Sequence, residues 1–391
     1  MIKCISLSNF LSFGPEPVVI DLQPMNVVIG SSSSGKSNLL SAIDVLRSAT
    51  SLYEFPAKIC GSGDAADLLY KGHNTLQPAE LDFILENKDE ISKHDFPEIE
   101  YEISFTSDNY NFKLLEEKIN GLDKNGMEYP FYIRNNETSF VREKNGELLE
   151  LVDGKPTSRQ SILSLKRDVY HYPAIATLSR EVEKFNIYTN WSFGLNSSVH
   201  SATRTDMPGD YVDENFTNLP LVLNRLDFFG IKSMILEKIK YFYNKITDIN
   251  VSIDRGTAKI FIKENDLFHP VQSSRISDGL LRYLCLLCII YNKNPSPVIC
   301  MDEPEIGMHF GMMPKICTCL KECSSKFQLI ITTHSIELVD TLTSTPEDVL
   351  VAEKGISGST IERLSEESML YYKTRSLGDM WIKGMIGGCA W

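Results

Sequence analysis

The sequence predicts an α/β protein with a mostly parallel core sheet flanked by helices. Residues 25–29 form a short apolar run that leads into a loop with two glycines and then into apolar residues at helical spacing. Two later apolar runs, 297–301 and 327–332, each end in charged or hydroxyl side chains, as strands of a parallel sheet do at the edge where ligands bind. With 391 residues, 42% of them hydrophobic, the chain can bury a large core and form two or three domains.

The first element is the loop Gly30–Ser37, which reads GSSSSGKS and matches GxxxxGK[ST] completely. It joins a predicted strand to a predicted helix, the context that a phosphate-binding loop requires. Gly30 and Gly35 let the backbone curl so that its N–H groups face phosphates. Lys36 adds a positive charge and Ser37 a hydroxyl ligand for Mg²⁺. The loop predicts binding of a nucleoside triphosphate with magnesium.

The second element is the acidic pair Asp302 and Glu303, which follows the apolar strand 297–301. A nucleotide held by such a loop needs one carboxylate for the metal shell and one group that activates water. We predict that Asp302 holds Mg²⁺ through a water molecule and that Glu303 polarises the attacking water. The alternative is a surface turn that closes the strand.

The third element is His334, at the end of the predicted strand in FQLIITTHS, residues 327–335. Neighbouring parallel strands end at the same edge of a sheet, so we expect His334 beside Glu303. A neutral imidazole there would hydrogen-bond the γ-phosphate or the catalytic water.

The fourth element is Ser277, Asp278 and Gly279, which open an apolar helix in SSRISDGLLRYLCLL, residues 273–287. The positive end of a helix with a small hydroxyl beside it is an anion site. A chain with a single phosphate loop has no use for this second anion site, unless the second site binds nucleotide that is held by another subunit. The alternative is an ordinary helix cap.

Composition and charge indicate the cellular location, the state of the cysteines and the tendency to bind nucleic acid. The longest apolar run, Tyr283–Tyr291, is too short to span a bilayer, and Met1–Asn9 lacks the apolar core of a signal peptide, so we expect a cytoplasmic protein. Nine scattered cysteines predict buried thiols rather than disulfides or zinc sites. A net charge of −13 disfavours nonspecific nucleic-acid binding, although residues 155–204 carry a local basic excess.

Together these motifs resemble the ABC-type ATPases of the SMC, RecF and OLD-nuclease group, within the AAA class. The matching segments are GSSSSGKSN at 30–38, ISDGLLR at 276–282, VICMDEPEIGMH at 298–309 and IITTHS at 330–335. The resemblance implies a P-loop NTPase fold of the ABC-ATPase type, with an antiparallel β subdomain and a compact α/β insertion. It covers roughly residues 1–50 and 270–355.

The resemblance also implies a head-to-tail dimer in which each ATP contacts the phosphate loop of one subunit and the signature of the other. Ser277, Asp278 and Gly279 would then act in trans, and Met308 and His309 would lie near the dimer contact. By the same comparison, Mg²⁺ has a third ligand in a glutamine loop, for which we propose Gln77. The residues expected to contact the ATP phosphates are Gly30, Ser31, Ser32, Ser33, Ser34, Gly35, Lys36, Ser37 and Asn38.

The chain departs from the family's loop, which usually reads GxNGSGKS, because Ser32 and Ser33 stand at the Asn and Gly positions. A serine where glycine is usual raises the question of backbone strain. We expect slow hydrolysis.

The middle of the chain reads as mixed α/β. We predict a strand at 98–105, helices at 158–167 and 219–246, and a hairpin at 251–262 that turns at Arg255-Gly256. No heptad pattern is present, so long coiled-coil arms are not expected. The predicted segments are a head part with the phosphate loop at 1–54, the insertion and lobe at 55–268, a second head part at 269–355 and a tail at 356–391.

The tail SLGDMWIKGMIGGCAW, residues 376–391, is rich in large apolar side chains that need a surface to cover, either on the same head or on a partner. It resembles the tails of small bacterial ATPases of this group, many of which are encoded beside a nuclease-like protein in phage-defence loci. Residues 335–391 are too few for the nuclease domain of the OLD proteins, so we expect any nuclease to be a separate polypeptide.

Three functions remain open from the sequence. The first is an ATP-driven switch, a dimer or a higher oligomer, that controls a separate effector such as a nuclease in antiviral defence. The second is a RecF-like repair ATPase that grips DNA through Lys166, Arg167 and their neighbours. The third is a scaffold that binds ATP with little turnover. A transporter ATPase is disfavoured because no membrane segment is predicted.

Overall fold

The computed structural model describes residues 1–391 except 53–63, 91, 109–110, 137, 145, 153, 192, 195–196, 366–374 and 388–391. The strands are β1 (Ile2–Ser8), β2 (Val18–Asp21), β3 (Met25–Gly30), β4 (Ala79–Glu86), β5 (Glu98–Asp108), β6 (Asn111–Leu122), β7 (Glu128–Asn135), β8 (Thr138–Arg142), β9 (Leu148–Glu150), β10 (Asn186–Tyr188), β11 (Thr203–Arg204), β12 (Ile246–Asp254), β13 (Thr257–Glu264), β14 (Val271–Gln272), β15 (Val298–Asp302), β16 (Gln328–Thr332), β17 (Val349–Gly355) and β18 (Gly358–Arg363). The α-helices are α1 (Lys36–Ser48), α2 (Ile162–Leu165), α3 (Pro173–Glu183), α4 (Leu219–Phe228), α5 (Lys232–Lys240), α6 (Asp278–Ile290), α7 (Met313–Ser324), α8 (Ile336–Asp340) and α9 (Leu377–Ile382).

The chain forms two compact units. The first combines Met1–Phe185 with Thr345–Trp391, and the second is Asn186–Ser344. These units cut across the four segments predicted from the sequence. Much of the predicted insertion belongs to the first unit, because β4 pairs with β1 along its length.

The first unit contains an eight-stranded antiparallel sheet in the order β2-β1-β4-β5-β6-β7-β8-β9. Along β5, buried residues alternate with half-exposed ones, the pattern of a sheet with one face in the core. The predicted strand 98–105 is therefore confirmed and extends to Asp108.

The solvent-facing side of this sheet is strongly acidic. Carboxylate oxygens of Glu100, Glu102 and Glu128 lie within 4.8 Å of one another, and Lys118 forms an ion pair of 2.7 Å with Glu102. Asp82, on the neighbouring strand, has a buried Oδ1 without a hydrogen-bond partner among the described residues. Burial raises the pKa of Asp82 to about 7, and the nearby charges of Glu100 and Glu102 add to the effect.

Replacing Asp82 with Asn should stabilise the fold above neutral pH. Because the folded pKa of Asp82 lies above its unfolded value of about 3.9, the stability that is complete below about pH 4 is lost as pH rises to about 7. We expect Asp82→Asn to raise the free energy of unfolding by roughly 1 to 2 kcal/mol near pH 8 and by less than half as much near pH 5. Urea titrations at the two pH values measure the difference. Glu80→Gln, an exposed position on the same strand, is the control, and equal gains at both pH values would contradict the assignment.

A second group of strands in the first unit carries the phosphate loop. β17 runs parallel to β3, with Val349 opposite Val27, and β18 is antiparallel to β17. All six residues of β3 are buried, and α1 follows directly after the loop. The predicted strand, loop and helix are confirmed.

Two other predictions about this unit have different outcomes. The helix predicted at 158–167 is largely wrong, because only Ile162–Leu165 is helical. The side chain of Glu117 accepts the backbone N–H of Ile162 and the hydroxyl of Ser161, and Ser161 is the extended N-cap residue of this short helix, preceded by a turn at 158–159. In the tail, Leu377, Met380, Trp381 and Ile386 are buried. These four residues pack on their own unit, whereas Ile382 and Met385 are 45% and 39% exposed and Trp391 lies outside the described residues.

The second unit contains a parallel set of strands in which β15 pairs with β10 on one side and β16 on the other. The register sets Asp302 opposite Thr332, as expected for two strands that end at one edge. A separate antiparallel group pairs β13 with β11, β12 and β14. The hairpin predicted at 251–262 is confirmed, with Arg255 and Gly256 both at positive φ (45° and 76°) in the turn.

The single helix predicted at 219–246 is wrong. α4 ends at Phe228 and α5 begins at Lys232, with Gly230 between them at φ 75°. Glycine adopts this left-handed conformation without steric cost, so it ends the first helix. The remaining residues at the predicted end enter β12.

The cysteines and helices of the structure can be compared with the buried thiols and the lack of a membrane-spanning segment that composition predicts. The described cysteines are free thiols, and Cys285 and Cys288 are fully buried on α6. In the part of the chain that the structure describes, every helix is too short or too polar to cross a membrane.

Candidate functional site

In the first unit, the phosphate loop is shaped by two glycines that no other residue could replace. Gly30 has φ 150°, and a Cβ there would lie 2.2 Å from the carbonyl oxygen of Ala352. Gly35 has φ 107°, and a Cβ there would lie 2.8 Å from Ser359 Oγ. Gly35 caps α1 without a side-chain hydrogen bond, and the first turn of α1 has no acidic residue. The positive N-terminal end of α1 can therefore bind an anion.

The polar groups of the loop fit a phosphate ligand. Lys36 is buried, and its Nζ donates to the carbonyl oxygens of Gly30 at 3.0 Å and Ser31 at 2.9 Å. The hydroxyl of Ser34 is buried without a hydrogen-bond partner among the described residues. A buried hydroxyl without a partner is costly, so a phosphate oxygen within reach would remove that cost. Ser37 is exposed at the start of α1, as a metal-ligating hydroxyl must be.

A serine missed by sequence reasoning braces the loop. Ser12 Oγ accepts hydrogen bonds from Asn38 Nδ2 at 2.7 Å and from Ser359 Oγ at 2.8 Å. Because the amide of Asn38 is used in this way and its backbone N–H donates to the carbonyl oxygen of Gly35 at 3.1 Å, its phosphate contact stays a prediction. No local pattern marks Ser12, since its partners are distant in sequence.

The departure from the usual loop has a structural consequence at Ser33. Ser33 has φ 66°, in the left-handed region, whereas Ser32 does not have positive φ. This conformation costs a residue with a Cβ about 1 to 2 kcal/mol, and glycine pays no such penalty. The strain expected from the sequence is therefore localised to one of the two serines.

Replacing Ser33 with Gly should stabilise the protein. The change removes the left-handed strain, and this gain exceeds the entropy that glycine adds to the unfolded chain, so we expect about 0.5 to 1 kcal/mol more free energy of unfolding. Ser32→Gly is the matched control, because glycine there adds entropy without relieving strain, and we expect a small loss. Urea denaturation without nucleotide measures both. A gain from Ser32→Gly equal to that from Ser33→Gly would contradict the strain argument.

In the second unit, Thr332 holds both members of the acidic pair. Thr332 is fully buried, and its Oγ1 donates to Asp302 Oδ1. The backbone N–H of Glu303 lies 3.1 Å from both the carbonyl oxygen and Oγ1 of Thr332. Glu303 has φ 49°, a strained conformation that these contacts maintain. The sequence showed this threonine only as part of a strand.

Glu303 and His334 are in contact, as predicted. Glu303 Oε1 lies 3.4 Å from His334 Nε2, and the two side chains are 27% and 38% exposed. Each is thus accessible to a water molecule and a phosphate while being oriented by the other. A carboxylate paired with an imidazole can accept a proton from water and hydrogen-bond an oxyanion.

Glu305 is a further acid that sequence reasoning left without a role. Its Oε1 accepts from Thr333 Oγ1 at 2.5 Å and from the backbone N–H of His334 at 3.0 Å. Burial raises the pKa of Glu305, and its Oε2 is buried without a partner among the described residues. Glu305 therefore fixes the backbone that presents His334.

The predicted signature lies at the start of α6. Ser277 is the N-cap residue, is exposed, and makes no side-chain capping bond. A Cβ on Gly279 would lie 3.1 Å from the carbonyl oxygen of Gly307. The absence of a side chain at Gly279 lets the loop after the acidic pair pack against the signature helix.

The roles predicted for Gln77, Met308 and His309 stay predictions. Gln77 lies in an exposed segment ahead of β4, and its assignment to a glutamine loop stays a prediction. Met308 is half-buried and His309 is exposed, with its ring 4.3 Å from that of Phe310. The dimer contact expected there also stays a prediction.

A family model described as "AAA domain, putative AbiEii toxin, Type IV TA system" matches residues 25–340. A relative from Helicobacter pylori, named an ATP/GTP phosphatase, is 21% identical over 376 residues, which are 92% of this chain and 91% of that protein.

Two solved structures are similar in fold. An Smc head bound to the C-winged helix domain of ScpA has a TM-score of 0.56 at 14% identity and covers 94% of this chain and 98% of its own. An Smc head with an extended coiled coil, bound to the C-terminal domain of ScpA derived from Pyrococcus furiosus, has a TM-score of 0.55 at 15% identity and covers 95% and 98%. The fold is that of a P-loop ABC-type ATPase, as the sequence predicted.

Proposed function

Since the chain belongs to the AAA-domain family whose model spans residues 25–340, we propose that it hydrolyses ATP to ADP and phosphate as an SMC-type head. The observation that carries the proposal is the pair Glu303 and His334, 3.4 Å apart, with Thr332 holding the strained backbone of Glu303 and the carboxylate of Asp302. A structural turn would gain nothing from that strain.

The phosphate loop binds the substrate. The uncapped N-terminus of α1 and the ammonium group of Lys36 attract the phosphates. On binding, Lys36 exchanges a carbonyl partner for a phosphate oxygen. Ser37 and Asp302 offer the hydroxyl and carboxylate oxygens that Mg²⁺ prefers. When bound, the metal neutralises charge on the phosphates.

The second unit supplies the groups for hydrolysis. Glu303 accepts a proton from the water whose oxygen attacks the γ-phosphorus, and the bond from that phosphorus to the β,γ-bridging oxygen breaks. His334, whose backbone is held by Glu305, hydrogen-bonds the γ-phosphate or the attacking water. Ser33 strains the loop, which favours slow turnover.

The dimer is the second part of the proposal. Ser277, Asp278 and Gly279 present an exposed helix N-terminus with no side-chain cap from Ser277. We place the γ-phosphate of ATP held by another subunit there, in a closed two-fold arrangement. ATP would close the dimer and hydrolysis would open it.

The third part is control of a separate effector. Regulation of a separate effector, for example a nuclease in antiviral defence, agrees with a head that changes state with its nucleotide. Within the described residues after His334, the chain forms α8, β17, β18 and α9.

DNA gripping is less favoured than effector control. Three of the basic residues that suggested it are paired with acids: Arg167 with Glu183 at 3.2 Å, Lys184 with Glu181 at 2.5 Å, and Arg204 with Asp206. A scaffold with little turnover is the second candidate, and the strained Ser33 favours it.

Phosphate release and sedimentation of the full chain with ATP and Mg²⁺ test the proposal. We expect steady hydrolysis and an ATP-dependent dimer that ADP does not support. An ATP-dependent dimer without phosphate release would favour the scaffold. A protein that shows neither phosphate release nor an ATP-dependent dimer would overturn the proposal. ATP-stimulated DNA binding at low salt would restore the repair function. Measuring hydrolysis with and without the product of a neighbouring gene tests effector control.

A further inference from the structure

The signature of the second unit is held by a buried histidine that no motif marks. His200 ends a 3₁₀ turn, Ser198–His200, and its side chain is 4% exposed. Its Nδ1 lies 2.7 Å from the carbonyl oxygen of Ser273, and its Nε2 lies 2.9 Å from Asp278 Oδ1. The histidine thus bridges the residues on either side of Ser277.

Both contacts of the ring are with groups that accept hydrogen bonds. A backbone carbonyl oxygen only accepts hydrogen bonds, and so does an ionised carboxylate. A neutral imidazole has one N–H and can satisfy only one of them. A ring with N–H groups on both nitrogens would satisfy both contacts and would place a positive charge next to Asp278.

That charge matters because of where Asp278 stands. Asp278 is the only acid in the first turn of α6 and is flanked by Ser277 and Gly279. A carboxylate stabilises the helix N-terminus, but it repels a phosphate approaching the same place. Arg282, one turn along α6, interacts electrostatically with Asp278, whereas His200 contacts the carboxylate directly.

The second contact has a mechanical consequence. Ser273 is buried and begins the 3₁₀ turn Ser273–Arg275 that leads to Ser277. Since His200 binds both Ser273 and Asp278, it fixes the chain entering the helix and the helix's first residue. The hydroxyl and N–H groups of the signature are held in one orientation.

We propose that His200 is a positioning residue for the signature, which neutralises Asp278 and fixes Ser277 so that the helix N-terminus can bind the γ-phosphate of ATP held by another subunit. The inference rests on the proposed function, because it assumes that the signature acts in trans. Asp278 then serves as the attachment point for His200, and the pair presents no net charge to the nucleotide.

The test uses the full chain carrying Glu303→Gln, in which ATP is bound but not hydrolysed. We expect His200→Ala to leave binding of ATP with Mg²⁺ by the isolated subunit unchanged, and to weaken ATP-dependent dimerisation about tenfold. His200→Gln, close in volume, should show a similar loss because its amide carries no charge. Binding is measured by calorimetry at low protein concentration, and dimerisation by analytical ultracentrifugation.

The charge argument is tested by adding Asp278→Asn to His200→Ala. Removing the unpaired carboxylate should restore dimerisation to within about threefold of the parent. No restoration would overturn the charge-neutralising role, and unchanged dimerisation of both His200 variants would overturn the whole inference. If the Glu303→Gln parent itself fails to dimerise with ATP, the proposed function fails instead, which separates the two results.

Discussion

Replacing Glu303 with Gln should reduce ATP hydrolysis roughly 100- to 1000-fold while leaving ATP binding intact. Glutamine keeps the shape of the side chain and a hydrogen bond to His334, 3.4 Å away in the native protein, but it cannot accept a proton from water. ATP should therefore persist at the site and the closed dimer should accumulate. Phosphate release measures the first effect and sedimentation with ATP the second.

Glu237→Gln is the control for this prediction. Glu237 is an exposed acid on α5 of the same unit, so its replacement changes the net charge equally without touching the proposed site. It should hydrolyse ATP at the native rate. Hydrolysis by Glu303→Gln at that same rate would remove Glu303 from the mechanism.

Replacing Lys36 with Ala should weaken ATP binding about 100-fold or more and abolish hydrolysis at ordinary ATP concentrations. The ammonium group lies against the loop, 3.0 Å from the carbonyl oxygen of Gly30, where it can donate charge-assisted hydrogen bonds to phosphate. Isothermal calorimetry with ATP and Mg²⁺ measures the affinity.

Lys71→Ala is the matched control, because Lys71 is an exposed lysine of the same unit, paired with Asp67 at 2.5 Å. It should bind ATP normally. Thermal unfolding without nucleotide shows whether Lys36→Ala is folded. A folded Lys36→Ala protein that binds ATP with native affinity would contradict the assignment of the loop.

The parts of the fold predicted from sequence are those specified by neighbouring residues. β3, the phosphate loop and α1 follow from a buried run, two glycines and helical spacing within one short segment. The hairpin at Arg255-Gly256 follows from its turn residues. The break between α4 and α5 depended on a single glycine, Gly230, whose left-handed conformation the apolar spacing around it does not reveal.

The parts of the candidate site that the sequence missed depend on contacts between distant residues. Thr332 acts on Asp302 because two parallel strands place them in register. His200 reaches Asp278 from a loop that carries no motif. Glu305 stood within the recognised motif, and only its burial and its bond to the His334 backbone show its role.

The return of the chain to its first unit has a consequence for biosynthesis. Gly30 packs against the carbonyl oxygen of Ala352, on a strand that is translated only after the entire second unit. During synthesis on the ribosome, the nascent loop therefore lacks the neighbour that shapes it, and the nucleotide site matures late. Nascent chains stalled before β17 should be unable to retain ATP, which a filter-binding assay with labelled ATP measures.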